Sequence, residues 1–215
     1  MYKLCVFYMD GTFVNSIGDI ADAMNRSLTA MGYKPYSEED YCRMVGDGMR
    51  VLCERALPND DKEELEKLIS LYKEDYLNNC CVRTAPYDGM VDLIYDLKRS
   101  GIKSAILSNK PHDQVMEISE KIFEKNLFDE IIGNSERFPI KPAPDSLYYI
   151  MDKYNATNNE TVYIGDSDVD MILGKKADVY TIGAAWGFRG EKELLNAGAD
   201  DIAHNAEELG SLILK

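Results

Sequence analysis

The sequence predicts an α/β protein, in which a doubly wound, Rossmann-like parallel sheet carries an inserted α-helical domain. An apolar run ends at Tyr8-Met9-Asp10-Gly11, which is typical of a buried parallel strand stopped by a tight turn. Four helical patterns without a strand follow, over about residues 16–82. Beyond them, short apolar strands alternate with helices, which implies parallel strands covered on both faces. We therefore expect a core domain of 1–16 with 83–215, and a helical domain of 17–82.

The insert is predicted from helix start and stop signals. Ser16 is a candidate N-cap, and Gly32 suits the end of the first helix. Ser37 precedes three acidic residues, a pattern that indicates a second helix start. The third and fourth helical patterns cover residues 49–57 and 61–81.

The rest of the chain alternates between the two periodicities. The predicted strands after the insert cover residues 102–107, 130–132, 161–164, 179–182 and 201–203. The predicted helices cover residues 89–100, 111–125, 145–154, 168–176, 191–197 and 206–214. This order extends a parallel sheet from the first strand.

Composition excludes several functional classes. The 215 residues carry a formal charge of −14, which argues against a nucleic-acid partner and requires any phosphate site to be locally positive. No apolar segment is long enough to span a membrane, and the first apolar run is too short for a secretion signal. The five cysteines are odd in number and lack zinc-site spacing, which favours a reduced, cytoplasmic protein.

Polar side chains follow several predicted strands where each strand ends. Because the carboxyl ends of parallel strands share one edge, we expect these side chains to meet there. Two carboxylates from different strands suit Mg²⁺, and neutral donors with one lysine suit a phosphoryl group. Taken singly, each could be a helix cap or a surface charge. The set comprises Asp10, Ser108, Asn109, Lys141, Asp166 and Asp170.

Four motifs in this order resemble those of the haloacid dehalogenase superfamily, specifically its phosphoglycolate phosphatases. The insert is similar to the family's small helical cap, and the resemblance covers nearly the whole chain. Within the insert, Val45-Gly46-Asp47-Gly48 resembles the cap loop of that subgroup, and in the core Ala185-Trp186-Gly187-Phe188-Arg189 also resembles the subgroup. The four motifs are Tyr8-Met9-Asp10-Gly11-Thr12, Ser108-Asn109-Lys110, Lys141-Pro142 and Gly165-Asp166-Ser167-Asp168-Val169-Asp170.

The resemblance implies a Mg²⁺-dependent phosphomonoesterase that forms an aspartyl-phosphate from a small phosphorylated metabolite. It implies that Asp10 is the acid–base residue, with a main-chain carbonyl that ligates the metal. It implies that Gly11, Ser108 and Asn109 bind phosphate and that Lys141 neutralises phosphate and nucleophile. Asp166 would ligate the metal, and Asp170 would support a metal-bound water or the lysine.

The chain departs from the family pattern at Tyr8, which stands where the attacking aspartate is expected. A phenol with an ordinary pKa of about 10 is mostly neutral near pH 7. Three interpretations stay open: an engineered or accidental substitution, a natural phosphate-binding pseudoenzyme, or weak hydrolysis by directly attacking water. A sugar-phosphate mutase on the same scaffold is a further alternative. The sequence leaves open the oligomeric state and whether Arg50, expected at a solvated helix position, contacts substrate.

Overall fold

A six-stranded parallel sheet forms the centre of the molecule in the computed structural model, which describes residues 1–214. Its strands run in the order β5-β4-β1-β6-β7-β8, and every neighbouring pair is parallel. The α/β fold class is therefore confirmed. The strands are β1 (Leu4–Phe7), β2 (Val14–Asn15), β3 (Ala85–Pro86), β4 (Lys103–Pro111), β5 (Glu130–Asn134), β6 (Thr161–Gly165), β7 (Tyr180–Ala184) and β8 (Asp201–Ala203).

The strand order changes direction at β1. From β1 the chain goes outward through β4 and β5 on one side, and later through β6, β7 and β8 on the other. Ligands of open parallel sheets bind outside the carboxyl ends of the strands at such a switch point. The loops after β1, β4 and β6 meet at this point.

Helices cover both faces of the sheet, as the alternation of side chains along β1 requires. Leu4 and Val6 pack with Leu147 and Leu173 on one face. Phe7 packs in a second cluster on the other face, which continues into the helical insert. The helices are α1 (Ile17–Ala30), α2 (Glu38–Met44), α3 (Met49–Ala56), α4 (Lys62–Asn79), α5 (Met90–Arg99), α6 (His112–Ile122), α7 (Asp145–Lys153), α8 (Asp168–Ala177), α9 (Glu191–Asn196) and α10 (Ala206–Ile213).

Helices α1–α4 form the insert between β2 and β3. The two chain segments that enter and leave it pair as a two-stranded antiparallel ribbon, β2 with β3, which the sequence pattern did not predict. Asp19, at the first turn of α1, accepts hydrogen bonds from Arg83 N at 3.0 Å, Thr84 N at 2.8 Å and Thr84 Oγ1 at 2.7 Å. This buried carboxylate therefore joins the start of the insert to its end.

Three local predictions need correction. Ser16 occupies the N-cap position of α1, but its hydroxyl makes no cap bond; it donates to Asp10 Oδ1 at 2.6 Å instead. The strand predicted for 102–107 continues to Pro111, since β5 pairs with it past an irregularity. The helix predicted for 111–125 begins at His112 and ends at Ile122. No helix in residues 1–214 combines the length and apolar character that crossing a membrane requires.

Candidate active site

Asp10 follows β1 and is 3% exposed. Its Oδ1 accepts a hydrogen bond from Ser16 Oγ at 2.6 Å and lies 3.0 Å from Lys110 Nζ. Lys110, itself 7% exposed, also donates to Tyr76 OH of the insert at 2.6 Å. The predicted acid–base carboxylate is thus held by an ion pair that reaches across to α4.

Lys141 lies in a buried ion pair with Asp170 at the start of α8. Its Nζ is 2.6 Å from Asp170 Oδ1 and donates to Tyr163 OH at 2.9 Å. The other oxygen of Asp170 accepts from Ser167 Oγ at 2.7 Å, within a capping box that begins α8. Burial lowers the pKa of Lys141, and the neighbouring Asp170 opposes that shift. Asp170 therefore orients the lysine and favours its charged form.

The carboxyl group of Asp166, which follows β6, lies against the main chain of Gly11 and Gly187 and accepts two hydrogen bonds. Thr12 Oγ1 donates to its Oδ1 at 3.0 Å, and Phe188 N donates to its Oδ2 at 2.9 Å. A side chain at Gly11 or Gly187 would overlap its carboxyl group, and Gly11 has φ +80°. Burial and the nearby Asp170 raise the pKa of Asp166 to about 7. The fold therefore keeps an incompletely neutralised carboxylate here.

The three predicted phosphate-binding positions differ in what they offer. Ser108 Oγ accepts from Lys110 N at 3.1 Å, which leaves its own hydrogen available as a donor. Asn109 Oδ1 accepts from Lys141 N at 3.0 Å, while its Nδ2 donates to Gly46 O at 3.0 Å, so it fastens the lysine loop to the insert. The N–H of Gly11 donates to Val14 O at 2.8 Å within the turn.

Tyr8 fills the space that these residues surround. Its N–H continues the sheet by donating to Ile164 O at 2.8 Å, and the residue as a whole is 5% exposed. Lys141 Nζ lies 3.8 Å from the ring centroid, within cation–π range. Burial, with Asp10 and Asp170 nearby, raises the pKa of Tyr8 well above its ordinary value. The phenol is neutral at physiological pH.

Among the three buried carboxylates, Asp166 is the one that could ligate Mg²⁺ directly. Within residues 1–214, no three His, Cys, Asp or Glu side chains are grouped so that they could hold a metal ion. The carboxylates of Asp10 and Asp170 are engaged by lysines, which leaves Asp166. With all three carboxylates ionised, the two buried ammonium groups would leave one negative charge unbalanced, which agrees with the raised pKa of Asp166. Mg²⁺ commonly takes one or two carboxylates, with waters and substrate phosphates completing its shell.

Four residues that contact Asp10, Lys141 or Asp166 were not predicted as site residues: Thr12, Ser16, Lys110 and Tyr163. Thr12 and Lys110 lie inside two of the motifs, and that adjacency was the available signal. Tyr163 lies on a strand that is buried along its whole length, where an aromatic residue reads as core. Arg50 is exposed and pairs with Glu66 at 2.8 Å.

A cavity of about 40 Å³ lies between the sheet edge and the insert. Tyr8, Asp10 and Lys110 line it from the core, and Met49 and Leu52 line it from α3. Arg189 donates to Val45 O at 3.0 Å beside it, which adds to the hydrogen bonds that Lys110 and Asn109 make with the insert. Residues of the insert and of the core therefore line this cavity together.

A family model described as haloacid dehalogenase-like hydrolase matches residues 5–184. A phosphoglycolate phosphatase of Colwellia psychrerythraea is 32% identical over 193 residues, which span 86% of this chain and 85% of that protein. One of Aquifex aeolicus is 30% identical over 190 residues, spanning 86% of each. The crystal structure of a predicted phosphoglycolate phosphatase from Haemophilus somnus superimposes with a TM-score of 0.92 at 25% identity, covering 98% of this chain and 97% of that one.

Proposed function

The chain belongs to the haloacid dehalogenase-like hydrolase family, and from this premise we propose a phosphomonoesterase pocket for a small organic phosphate whose nucleophile position is filled by Tyr8. The relatives named phosphoglycolate phosphatase support 2-phosphoglycolate as the substrate. The observation that carries the proposal is the Tyr8 ring, buried against the ammonium group of Lys141 among Asp10, Asp166 and Asp170. The unpaired cysteines support a cytoplasmic location.

The roles follow from the contacts of each side chain. Lys141, oriented by Asp170 and Tyr163, supplies the positive charge for a phosphoryl group. The hydroxyl hydrogen of Ser108 is a donor for a phosphoryl oxygen. Asp10, held by Ser16 and Lys110, is the residue whose carboxyl group would protonate the leaving oxygen when it is in its acid form and become a carboxylate in that step.

We include Mg²⁺ in the proposal. Asp166 and the main-chain carbonyl of Asp10 would hold it, and the excess negative charge among the buried carboxylates supports a cation there. When bound, the ion would neutralise charge on the phosphoryl oxygens. Asp170 would then remain the partner of Lys141.

Tyr8 makes the chain as it stands a poor hydrolase in this account. A carboxylate nucleophile is missing, and the phenol is held in its neutral form. The ring also occupies volume beside Lys141 that a phosphoryl group needs. Removing the nucleophile from a cooperating catalytic set lowers the rate by about 10⁴–10⁶.

We propose that residues 17–82 act as a cap that closes over this pocket. The contacts that support it are Asn109 with Gly46, Arg189 with Val45 and Lys110 with Tyr76. The paired linkers β2 and β3 give the cap a narrow attachment to the core. Closure of such lids excludes water from the reacting groups.

The test is hydrolysis of an aryl phosphate and of 2-phosphoglycolate by the parent chain, Tyr8→Asp and Tyr8→Ala, with and without Mg²⁺. Tyr8→Asp should gain Mg²⁺-dependent phosphate release, whereas Tyr8→Ala, which removes the ring without adding a carboxylate, should not. Equal rates for the two variants would contradict the proposed role of this position. No release by either would contradict the phosphatase proposal.

A second candidate is binding of a phosphorylated ligand without turnover, since Ser108, Asn109 and Lys141 are all present. Calorimetry of the parent chain with inorganic phosphate and Mg²⁺ distinguishes the two. Tight binding by the parent favours the binding protein, whereas binding that appears only after Tyr8→Ala favours a blocked phosphatase pocket. An isomerised sugar phosphate formed by Tyr8→Asp would instead identify a mutase.

A further inference from the structure

The ammonium group of Lys110 has more N–H donors than the two polar contacts described above can use. An ammonium group has three N–H donors. One donates to Tyr76 OH at 2.6 Å, the group forms an ion pair with Asp10 Oδ1 at 3.0 Å, and it also lies 4.4 Å from the Tyr76 ring centroid. The residue lines the cavity between core and insert. One donor is therefore available to a group in that cavity.

Gln114, on the first turns of α6, is a second polar group at the same cavity. It is 1% exposed, and its Nε2 has Met49 Sδ at 3.9 Å as its side-chain partner among the described residues. A thioether is a weak acceptor. A buried amide without a strong partner loses free energy, which a ligand oxygen would restore.

The remaining walls restrict what can enter. Ile20, Met49 and Leu52 are apolar, and within the described residues Asp10 and Lys110 are the charged lining groups. The volume of about 40 Å³ is far below the roughly 300–1,000 Å³ of pockets for drug-sized ligands. The cavity suits a group of a few atoms and offers few partners for a chain of sugar hydroxyls.

We propose that Lys110 and Gln114 form a subsite for a carboxylate on the leaving group, and so select small phosphorylated acids over neutral phosphate esters. The proposal rests on the phosphatase function proposed above and assigns its specificity. One carboxylate oxygen accepts from the free donor of Lys110 and the other from the Gln114 amide. The ammonium group then lies between the substrate carboxylate and Asp10, where it offsets their repulsion.

The experiment compares kcat/KM for 2-phosphoglycolate with that for ethyl phosphate, which has two carbons and no carboxylate, in the Tyr8→Asp protein. We expect 2-phosphoglycolate to be preferred. Adding Lys110→Met should lower the ratio of the two values about 10- to 100-fold, the range for a charge-assisted hydrogen bond. Adding Gln114→Leu should lower it about 2- to 10-fold. Lys110→Arg, which keeps the charge, should retain more of the preference than Lys110→Met.

The ratio of the two kcat/KM values separates a change in specificity from a general loss of activity, because a displaced Asp10 would slow the hydrolysis of both esters. Lys121→Met removes a positive charge farther along α6, where Lys121 pairs with Glu117, and should leave the ratio unchanged. An unchanged ratio in both subsite variants would overturn the inference while leaving the phosphatase proposal intact. If Tyr8→Asp hydrolyses neither ester, the phosphatase proposal fails, and the subsite is then tested by measuring the binding of both esters to that protein by calorimetry. Equal affinities for the two esters would overturn the subsite.

Discussion

Replacing Lys141 by Met should destabilise the fold strongly, although the two side chains are similar in length. The exposed fractions of the Lys141 and Asp170 side chains are 2% and 0%, so the variant leaves a buried carboxylate without its counter-ion. Such a change costs about 3–5 kcal/mol of unfolding free energy. The lost cation–π contact with Tyr8 adds up to about 2 kcal/mol.

Urea denaturation measures this effect through Trp186, the sole tryptophan, whose Nε1 donates to Thr12 O at 3.0 Å beside the site. With a slope of about 2 kcal/mol/M, the total loss of about 3–7 kcal/mol should lower the urea midpoint by roughly 1.5–3.5 M. The double variant Lys141→Met with Asp170→Leu should be markedly more stable than the sum of the single variants, because no unpaired charge remains. A decrease in unfolding free energy below about 1 kcal/mol for Lys141→Met, or strictly additive effects in the double variant, would contradict this role of the buried ion pair.

Three further predictions concern the same edge of the sheet. Because the pKa of Asp166 is raised to about 7, the folded state holds a proton that the unfolded chain releases near pH 4. The free energy of unfolding should therefore decrease by on the order of a few kcal/mol as the pH rises from about 4 to 7, and it should level off above pH 7. Asp166→Asn should abolish this decrease in urea denaturation measured across that pH range. Gly11→Ala should lower the free energy of unfolding by at least about 1 kcal/mol more than Gly32→Ala, because both glycines have a positive φ but only the methyl added at Gly11 overlaps the Asp166 carboxyl group. Asp19→Ala should lose about 2–4 kcal/mol and increase protease cleavage near residues 80–84, because the N–H groups of Arg83 and Thr84 lose their buried acceptor; unchanged cleavage would contradict this role.

Much of the sheet was predictable because buried parallel strands combine apolar runs with turn residues at their ends. The predicted residues Asp10, Ser108 and Asp166 belong to or follow strands that neighbour one another, so the parallel-sheet rule was sufficient to bring their positions together. All four helices predicted in the insert are present, and the second and fourth also begin at residues whose side chains cap them. Ser37, for example, forms the capping box with Asp40 that its spacing indicated.

The remaining features depend on partners distant in sequence. Ser16 looks like an N-cap locally, but a buried carboxylate six residues earlier competes for its hydroxyl. The pairing of β2 with β3 joins segments about 70 residues apart, and two residues per strand carry no periodicity. Lys110 reads as a surface lysine until Asp10 and Tyr76 are both placed beside it. Pairwise contacts of this kind cannot be read from spacing alone.

The position of Tyr8 decides the account, and one comparison of rates tests it. Phosphate release from 2-phosphoglycolate in the presence of Mg²⁺ is measured for the parent chain, Tyr8→Ala and Tyr8→Asp at equal protein concentration. We expect a rate for Tyr8→Asp that exceeds both others by about 10⁴-fold or more. A parent chain that already releases phosphate as fast as Tyr8→Asp would contradict it.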